Sequence, residues 1–67
     1  MKIRLNGEAI ECRPDETVGS LVDRLRPAGR HGVAVAVDGA VVRRATWDDT
    51  TLSDGARVEL VGAVQGG

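Results

Sequence analysis

Hydrophobic and polar residues alternate along several stretches of this chain, and one stretch between them has a different spacing. An alternation with a period of two predicts strands that bury one face. We predict strands over residues 1–6, 8–13, 33–37, 40–44 and 57–61. Asn6-Gly7 and Asp38-Gly39 each separate two of these strands, and such dipeptides favour two-residue hairpin turns, because both turn positions adopt positive φ.

The spacing becomes helical after Thr17, a suitable N-cap residue because its hydroxyl accepts a hydrogen bond from the first helical turn. The apolar residues that follow recur at i, i+3, i+4 and i+7 and form one stripe. They are Val18, Leu21, Val22 and Leu25. Gly19 either weakens this helix, by about 1 kcal/mol relative to Ala, or allows close packing against the sheet. Pro27 and Gly29 end the helix.

Residues 46–53 are too polar and irregular for a strand and too short for a stable helix, so we predict a loop anchored by Trp47 and Leu52. The predicted order is therefore strand, strand, helix, strand, strand, loop, strand. A single helix covers one face of a sheet. We expect the first and last strands to lie side by side and parallel at the centre, because the connection between them is long enough for a crossover.

Composition limits what so small a chain can do. With 67 residues it forms one domain and has little room for a buried catalytic pocket. Its nine basic and ten acidic residues argue against general nucleic-acid binding. The single cysteine, Cys12, excludes an internal disulfide and a multi-cysteine metal site. No signal peptide or apolar run typical of a membrane span is present, so we expect a cytoplasmic protein.

The stretch from Leu60 to Gly67 contains no charged side chain and ends in Gly66-Gly67. Glycines let a backbone enter a channel too narrow for side chains. The reactive group at this end is the carboxylate of Gly67, an anion at neutral pH. It becomes an acyl donor only after activation, most simply as an adenylate. The alternative is a chain end without function, since termini are often glycine-rich and disordered.

The element order is similar to that of the ubiquitin-like β-grasp fold, and the motifs resemble the ThiS family, the bacterial sulfur carriers of thiamine biosynthesis. The resemblance covers essentially the whole chain. Its motifs are Ile3-x-Leu5-Asn6-Gly7, Val35-Ala36-Val37-Asp38-Gly39, Val41-Val42-x-Arg44-x-x-Trp47, Leu52-x-Asp54-Gly55-x-x-Val58-Glu59-x-Val61 and Ala63-Val64-Gln65-Gly66-Gly67. It implies an α+β fold with a mixed sheet of about five strands and one main helix, as a globule of residues 1–61 with a flexible tail of residues 62–67.

This resemblance implies that the chain has no catalytic residue of its own and that Gly67 is the modified residue. An E1-like adenylyltransferase of the ThiF type would join AMP to its carboxylate. A sulfur donor such as a cysteine desulfurase would convert the adenylate to a thiocarboxylate. A thiazole synthase of the ThiG type would then take the sulfur. ATP and magnesium would bind the activating partner, and no cofactor or metal would bind this chain. The tail residues expected to thread into partners are Gly62, Ala63, Val64, Gln65 and Gly66.

The partner must also hold the globule, and the face of the sheet without the helix is the candidate. Its apolar strip would be Ala34, Ala36 and Val61, with a charged rim that includes Arg57 and Glu59. A transient interface has this composition. The alternative is an ordinary solvated sheet face.

The remaining candidates are interpreted as structural. Nothing near Cys12 in the sequence marks an activated thiol. His31 has no second ligand or nucleophile in view. We interpret Trp47 as a core anchor rather than a partner contact, and Asp48-Asp49 as a pair facing water.

Two rival functions share the tail chemistry. The small subunit of molybdopterin synthase has the same fold and the same Gly-Gly end, but usually carries aromatic and proline residues before it. A ubiquitin-like modifier would be joined through Gly67 to lysines of other proteins. A third possibility is a β-grasp binding module with an inert tail.

Overall fold

The computed structural model describes residues 1–62. Strands β1 (Lys2–Leu5) and β2 (Glu8–Glu11) precede helix α1 (Val18–Leu25). Strands β3 (Val33–Val37) and β4 (Ala40–Val42) lead into a 3₁₀ helix (Arg44–Asp49), and β5 (Arg57–Gly62) closes the described part. The predicted strands are all present, although β2 and β4 each end two residues earlier than expected. In the described part, the helices are too short and too polar to cross a membrane.

The five strands form one mixed sheet in the order β2-β1-β5-β3-β4. Strands β1 and β5 are parallel, with Leu5 opposite Val58, and the other neighbouring strands are antiparallel. The prediction of a parallel central pair is therefore confirmed. Alternate residues of these strands face α1 and build the core, and Ile3 and Val58 are among its most buried members.

Both predicted hairpin turns form. Asn6 and Asp38 each have φ 50°, and the glycine after each also has positive φ. Asn and Asp tolerate this left-handed conformation better than other residues with a side chain. The two dipeptides therefore specify the turns, and the turns set the register of the strands that they join.

Helix α1 begins as the sequence predicts. The Ser20 amide donates to Thr17 Oγ1 at 3.0 Å, and the Thr17 amide donates to Ser20 Oγ at the same distance. This reciprocal capping box satisfies two amides that the first turn leaves free. The buried stripe is shorter than expected, because the helix ends at Leu25 and that residue is 36% exposed.

Gly19 does allow another element to approach the helix closely. The prediction that this element is the sheet is wrong. A Cβ on Gly19 would overlap the Asp48 carboxylate and lie 2.8 Å from Arg30 Nη2. The helix therefore packs at this point against the segment that carries Asp48.

That segment was expected to be a loop, and its first part is the 3₁₀ helix. Trp47 is 1% exposed, and its Nε1 donates to the Val42 carbonyl at 2.8 Å. Leu52 is also buried. The two predicted anchors are confirmed, and the burial of Trp47 accounts for the helical winding of a sequence without a helical repeat.

Candidate functional site

The open face of the sheet, on the side opposite α1, presents the predicted strip of small apolar residues. Strand register places Ala34 opposite Val61 and Ala36 opposite Glu59. Because side chains alternate along a strand, these four side chains share one face. The structure thus brings together the residues proposed as a partner face.

These residues border a shallow groove of about 400 Å³. Its lining is Asn6, Ala34, Val35, Ala36, Val41, Glu59 and Val61. Val41 is 79% exposed and Val61 is 62% exposed, and these are large fractions for valine. An exposed apolar groove of this kind is typical of surfaces that contact another molecule.

Charged side chains lie next to the groove. Glu59 lines it, and Arg57, two residues earlier on β5, is exposed on the same face. Arg4 is the cross-strand neighbour of Arg57 in the parallel β1–β5 pair. The Arg4 Nη1 group donates to the Gly7 carbonyl at 3.0 Å, which holds its side chain toward the first hairpin turn. Arg4 and Arg57 therefore form a basic border of the groove near the first residue of β5.

Asn6 fixes one end of the groove. Its Nδ2 donates to the Leu60 carbonyl at 3.1 Å, and its Oδ1 accepts from the Leu60 amide at 3.0 Å. The Asn6 amide also donates to the Val58 carbonyl at 2.8 Å. These bonds continue the β1–β5 pairing past the last residue of β1 and hold β5 in place beside the groove.

Three lining residues, Asn6, Val35 and Val41, were not predicted as part of this face, and Val35 also belongs to the buried core. The sequence signal for Val41 was available, because Val42 packs on the core and its neighbour must face the other way. The signal for Asn6 was absent, since its bonds to Leu60 span 54 positions of the chain.

The C-terminal candidates divide at Gly62. Gly62 was expected to begin the tail, but it is the last residue of β5 and lies opposite Val33. The predictions for Ala63, Val64, Gln65, Gly66 and Gly67 lie outside the described residues. The globule therefore continues one residue further than expected.

Cys12 is buried beside a small polar cluster. Arg24 Nη2 lies 3.7 Å from Cys12 Sγ and 3.5 Å from a carboxylate oxygen of Glu16. Burial, followed by the charge of Glu16, raises the pKa of the Cys12 thiol. A thiol with a raised pKa is a weaker nucleophile at neutral pH, and this agrees with the structural interpretation of Cys12.

Glu16 is a buried carboxylate that sequence reasoning did not single out. It accepts hydrogen bonds from Ser20 Oγ at 2.7 Å and from the Arg13 amide at 3.3 Å. Burial acts to raise its pKa, but these two hydrogen bonds and the nearby Arg24 outweigh it, so the pKa of Glu16 is lowered. The carboxylate therefore stays ionised and ties the chain before α1 to the helix.

Arg30 forms the other ionic cluster. It pairs with Asp23 on α1 and with Asp48 on the 3₁₀ helix, each at 2.8 Å. Its hydrogen bonds to the two carboxylates raise the pKa of Arg30 and lower the pKa of both aspartates. Its guanidinium also lies 5.8 Å from the centre of the Trp47 ring. The prediction that Asp48 simply faces water is incomplete, because this carboxylate joins two elements.

His31 and Asp49 are both exposed. Among residues 1–62, no three His, Cys, Asp or Glu side chains are grouped closely enough to hold a metal ion. The open face with its groove is therefore the candidate site that the described residues offer.

A mixed sheet of five strands with one α-helix on one face defines a protein of the ubiquitin-like β-grasp class. A crystal structure of the thiamine biosynthesis protein ThiS from Geobacter metallireducens superposes with a TM-score of 0.83 at 30% identity, and each chain is covered completely. Its solution structure gives a TM-score of 0.81, covering all of this chain and 88% of the other.

Sequence comparison points to the same family. The family model described as the ThiS family matches residues 3–67. The sulfur carrier protein ThiS of Escherichia coli is 30% identical over 67 residues, the full length of both chains. The chain belongs to the ThiS family.

Proposed function

We propose that this protein is a sulfur carrier for thiamine biosynthesis and that its sulfur is carried on the carbonyl carbon of Gly67. The supporting observation is the family match over residues 3–67, which includes Gly66 and Gly67. The relative from Escherichia coli is named the sulfur carrier protein ThiS, and the one from Geobacter metallireducens is named a thiamine biosynthesis protein, ThiS.

In the first step, an oxygen of the Gly67 carboxylate attacks the α-phosphorus of ATP. The bond between the α- and β-phosphates breaks, pyrophosphate leaves, and Gly67 becomes an acyl adenylate. An E1-like adenylyltransferase of the ThiF type catalyses this step. ATP and magnesium bind that partner, and this chain supplies only the carboxylate. Adenylation is needed because a carboxylate is a poor electrophile.

In the second step, the terminal sulfur of a persulfide on a cysteine desulfurase attacks the Gly67 carbonyl carbon, and AMP leaves. A second thiol then attacks the resulting disulfide, which releases the Gly67 thiocarboxylate and leaves a disulfide between the two thiols. A thiazole synthase of the ThiG type takes the sulfur, and an oxygen atom from its substrate or from water replaces that sulfur on Gly67 and restores the carboxylate. Cys12 has no part in this sequence, which agrees with its burial.

The globule serves as a handle in this proposal, and the partner binds its open face. Ala34, Ala36 and Val61 offer apolar contact, and Arg57 and Glu59 offer charged contacts at its border. Val61 directly precedes Gly62, where β5 ends. A partner bound over the groove therefore lies next to the point from which the chain continues toward Gly67. The five residues after Gly62 reach at most roughly 17 Å when extended.

The test is ATP-dependent pyrophosphate release by a ThiF-type enzyme with the full chain as substrate. We expect release with the wild-type chain and none with Gly67→Val, because a branched side chain blocks a channel that admits only glycine. Glu8→Ala, a change at an exposed residue outside both the tail and the open face, is the control and should retain activity. Release by Gly67→Val at the wild-type rate would contradict the proposal. The cytoplasmic location remains a prediction.

A further inference from the structure

Gly62 lies where the last strand meets the end of the helix. It is opposite Val33, the first residue of β3, and it follows the alternation of Val58 and Leu60, which face α1. The position that a Cβ would occupy on residue 62 therefore faces the C-terminal end of α1. The residue that follows this helix is Arg26.

The backbone of Arg26 is held on both sides. Its amide donates to the Val22 carbonyl at 2.7 Å, and its carbonyl accepts from the Gly29 amide at 2.9 Å. Its side chain thus extends from a fixed point of the fold. Because the backbone is fixed at this point, the guanidinium at the end of the side chain has fewer accessible positions.

The guanidinium of Arg26 covers Gly62. A Cβ on Gly62 would lie 3.1 Å from Arg26 Nη2 and 3.5 Å from both Cζ and Nη1. These distances place the end of the Arg26 side chain against the position that a Cβ on Gly62 would occupy, with Nη2 nearest. A side chain on residue 62 would be in tight contact with the guanidinium, and the exposed Arg26 side chain would have to shift by a few tenths of an ångström.

We propose that Arg26 is a positioning residue for adenylation of Gly67: its guanidinium restrains Gly62 and so aims the chain toward the partner's site. This inference rests on the proposed function. Glycine has the greatest backbone freedom of any residue. Any backbone freedom that residue 62 keeps in the unbound protein must be lost when the chain enters a partner. Fixing one residue changes an equilibrium constant by roughly five- to thirtyfold.

The first test compares initial rates of pyrophosphate release by a ThiF-type enzyme over a range of carrier concentrations. Arg26→Ala should raise KM for the carrier by about five- to tenfold and leave kcat within about twofold, because the restraint acts before the chain is bound. Arg26→Lys should behave like Arg26→Ala, since lysine keeps the charge but has no plane. Arg13→Ala, the loss of another exposed arginine, is the control and should match wild type.

Gly62→Ala supplies a second variant. Its methyl group restricts the backbone of residue 62 directly, so Gly62→Ala should keep KM near the wild-type value. The double variant with Arg26→Ala should have a lower KM than Arg26→Ala alone, because residue 62 no longer needs the arginine to restrain it. An unchanged KM in Arg26→Ala, wild-type behaviour of Arg26→Lys, or a KM in the double variant as high as in Arg26→Ala alone would overturn the proposal.

The second test needs no partner. The ¹⁵N heteronuclear NOE of the Gly62 amide should fall in Arg26→Ala and stay at the wild-type value in Arg13→Ala. An unchanged NOE at Gly62 in Arg26→Ala would overturn the positioning role even if the carrier function holds. Failure of wild-type adenylation would instead overturn the carrier function, and the NOE would still report on the contact.

Discussion

Replacing Asn6 by Ala tests how the two central strands are held together. Asn6 makes two side-chain hydrogen bonds to the backbone of Leu60 and has φ 50°. Alanine removes both bonds, leaves the Leu60 amide and carbonyl without these partners, and tolerates the left-handed conformation less well than asparagine does. The variant therefore combines two independent losses at one position.

The magnitude follows from these contacts. Each lost hydrogen bond is worth about 0.5–1.5 kcal/mol, and the left-handed conformation costs Ala about 1 kcal/mol. We expect Asn6→Ala to lower the free energy of unfolding by about 2–4 kcal/mol. A chain of this size has a total of about 3–10 kcal/mol. The midpoint of thermal unfolding should fall by at least about 8 °C.

The assay is equilibrium urea unfolding followed by the fluorescence of Trp47, the single tryptophan and a buried one. Asn6→Gly should be about 1 kcal/mol less damaging than Asn6→Ala, since glycine accepts positive φ. Asp38→Ala is the matched control: Asp38 also has φ 50° but accepts one hydrogen bond, from the Arg57 amide at 2.9 Å. It should cost about 1 kcal/mol less than Asn6→Ala. A loss below about 0.5 kcal/mol for Asn6→Ala, the range of ordinary surface substitutions, would refute the reasoning.

Three further predictions concern the open face, the buried carboxylate and the indole. Val61→Asp should weaken binding of a ThiF-type partner at least about tenfold in calorimetry, because it buries an unpaired charge, and leave the urea midpoint near wild type; unchanged affinity would exclude this face. Glu16→Gln should lower the free energy of unfolding at pH 7. The difference from wild type should shrink as the pH falls below 4.5, the ordinary pKa of a glutamate, and then through the lowered pKa that Glu16 has in the folded state. A difference that grows on acidification would contradict the assignment. Trp47→Phe should lower the free energy of unfolding, measured by circular dichroism, by about 1–3 kcal/mol, because the Val42 carbonyl loses its indole donor. Wild-type stability would argue against that bond.

Local patterns in the sequence predicted the parts of this fold that depend on neighbouring residues. Strand alternation, the Asn6-Gly7 and Asp38-Gly39 turns, and the Thr17 cap each depend on a few consecutive positions. The parallel central pair followed from the length of the connection and the position of one helix. These features agree with one another, which is why the fold class could be predicted.

Features that depend on distant residues could not be predicted. The 3₁₀ helix has no apolar repeat, and it forms because Trp47 is buried and bonded to Val42. Glu16 is buried because Ser20 and Arg13 bind its carboxylate, although a glutamate by itself indicates an exposed position. The helical stripe predicted a buried Leu25, but the helix ends there.

The candidate site could be predicted only in part, because some of its features also depend on residues that are distant in the sequence. Alternation on β3 and β5 placed Ala34, Ala36 and Val61 on one face, and the register confirmed it. The contribution of Asn6 depends on bonds across the sheet, and the cover of Gly62 by Arg26 depends on where a helix ends in space. The role of Gly67 comes from family membership and remains a proposal.

Intact-protein mass spectrometry after incubation with a ThiF-type adenylyltransferase, ATP-Mg²⁺, a cysteine desulfurase, cysteine and a thiol reductant tests the central claim most directly. The account predicts a mass gain equal to the exchange of one oxygen for one sulfur, located by fragmentation at Gly67 and absent when ATP is omitted. An unchanged mass, or sulfur located on Cys12, would contradict it.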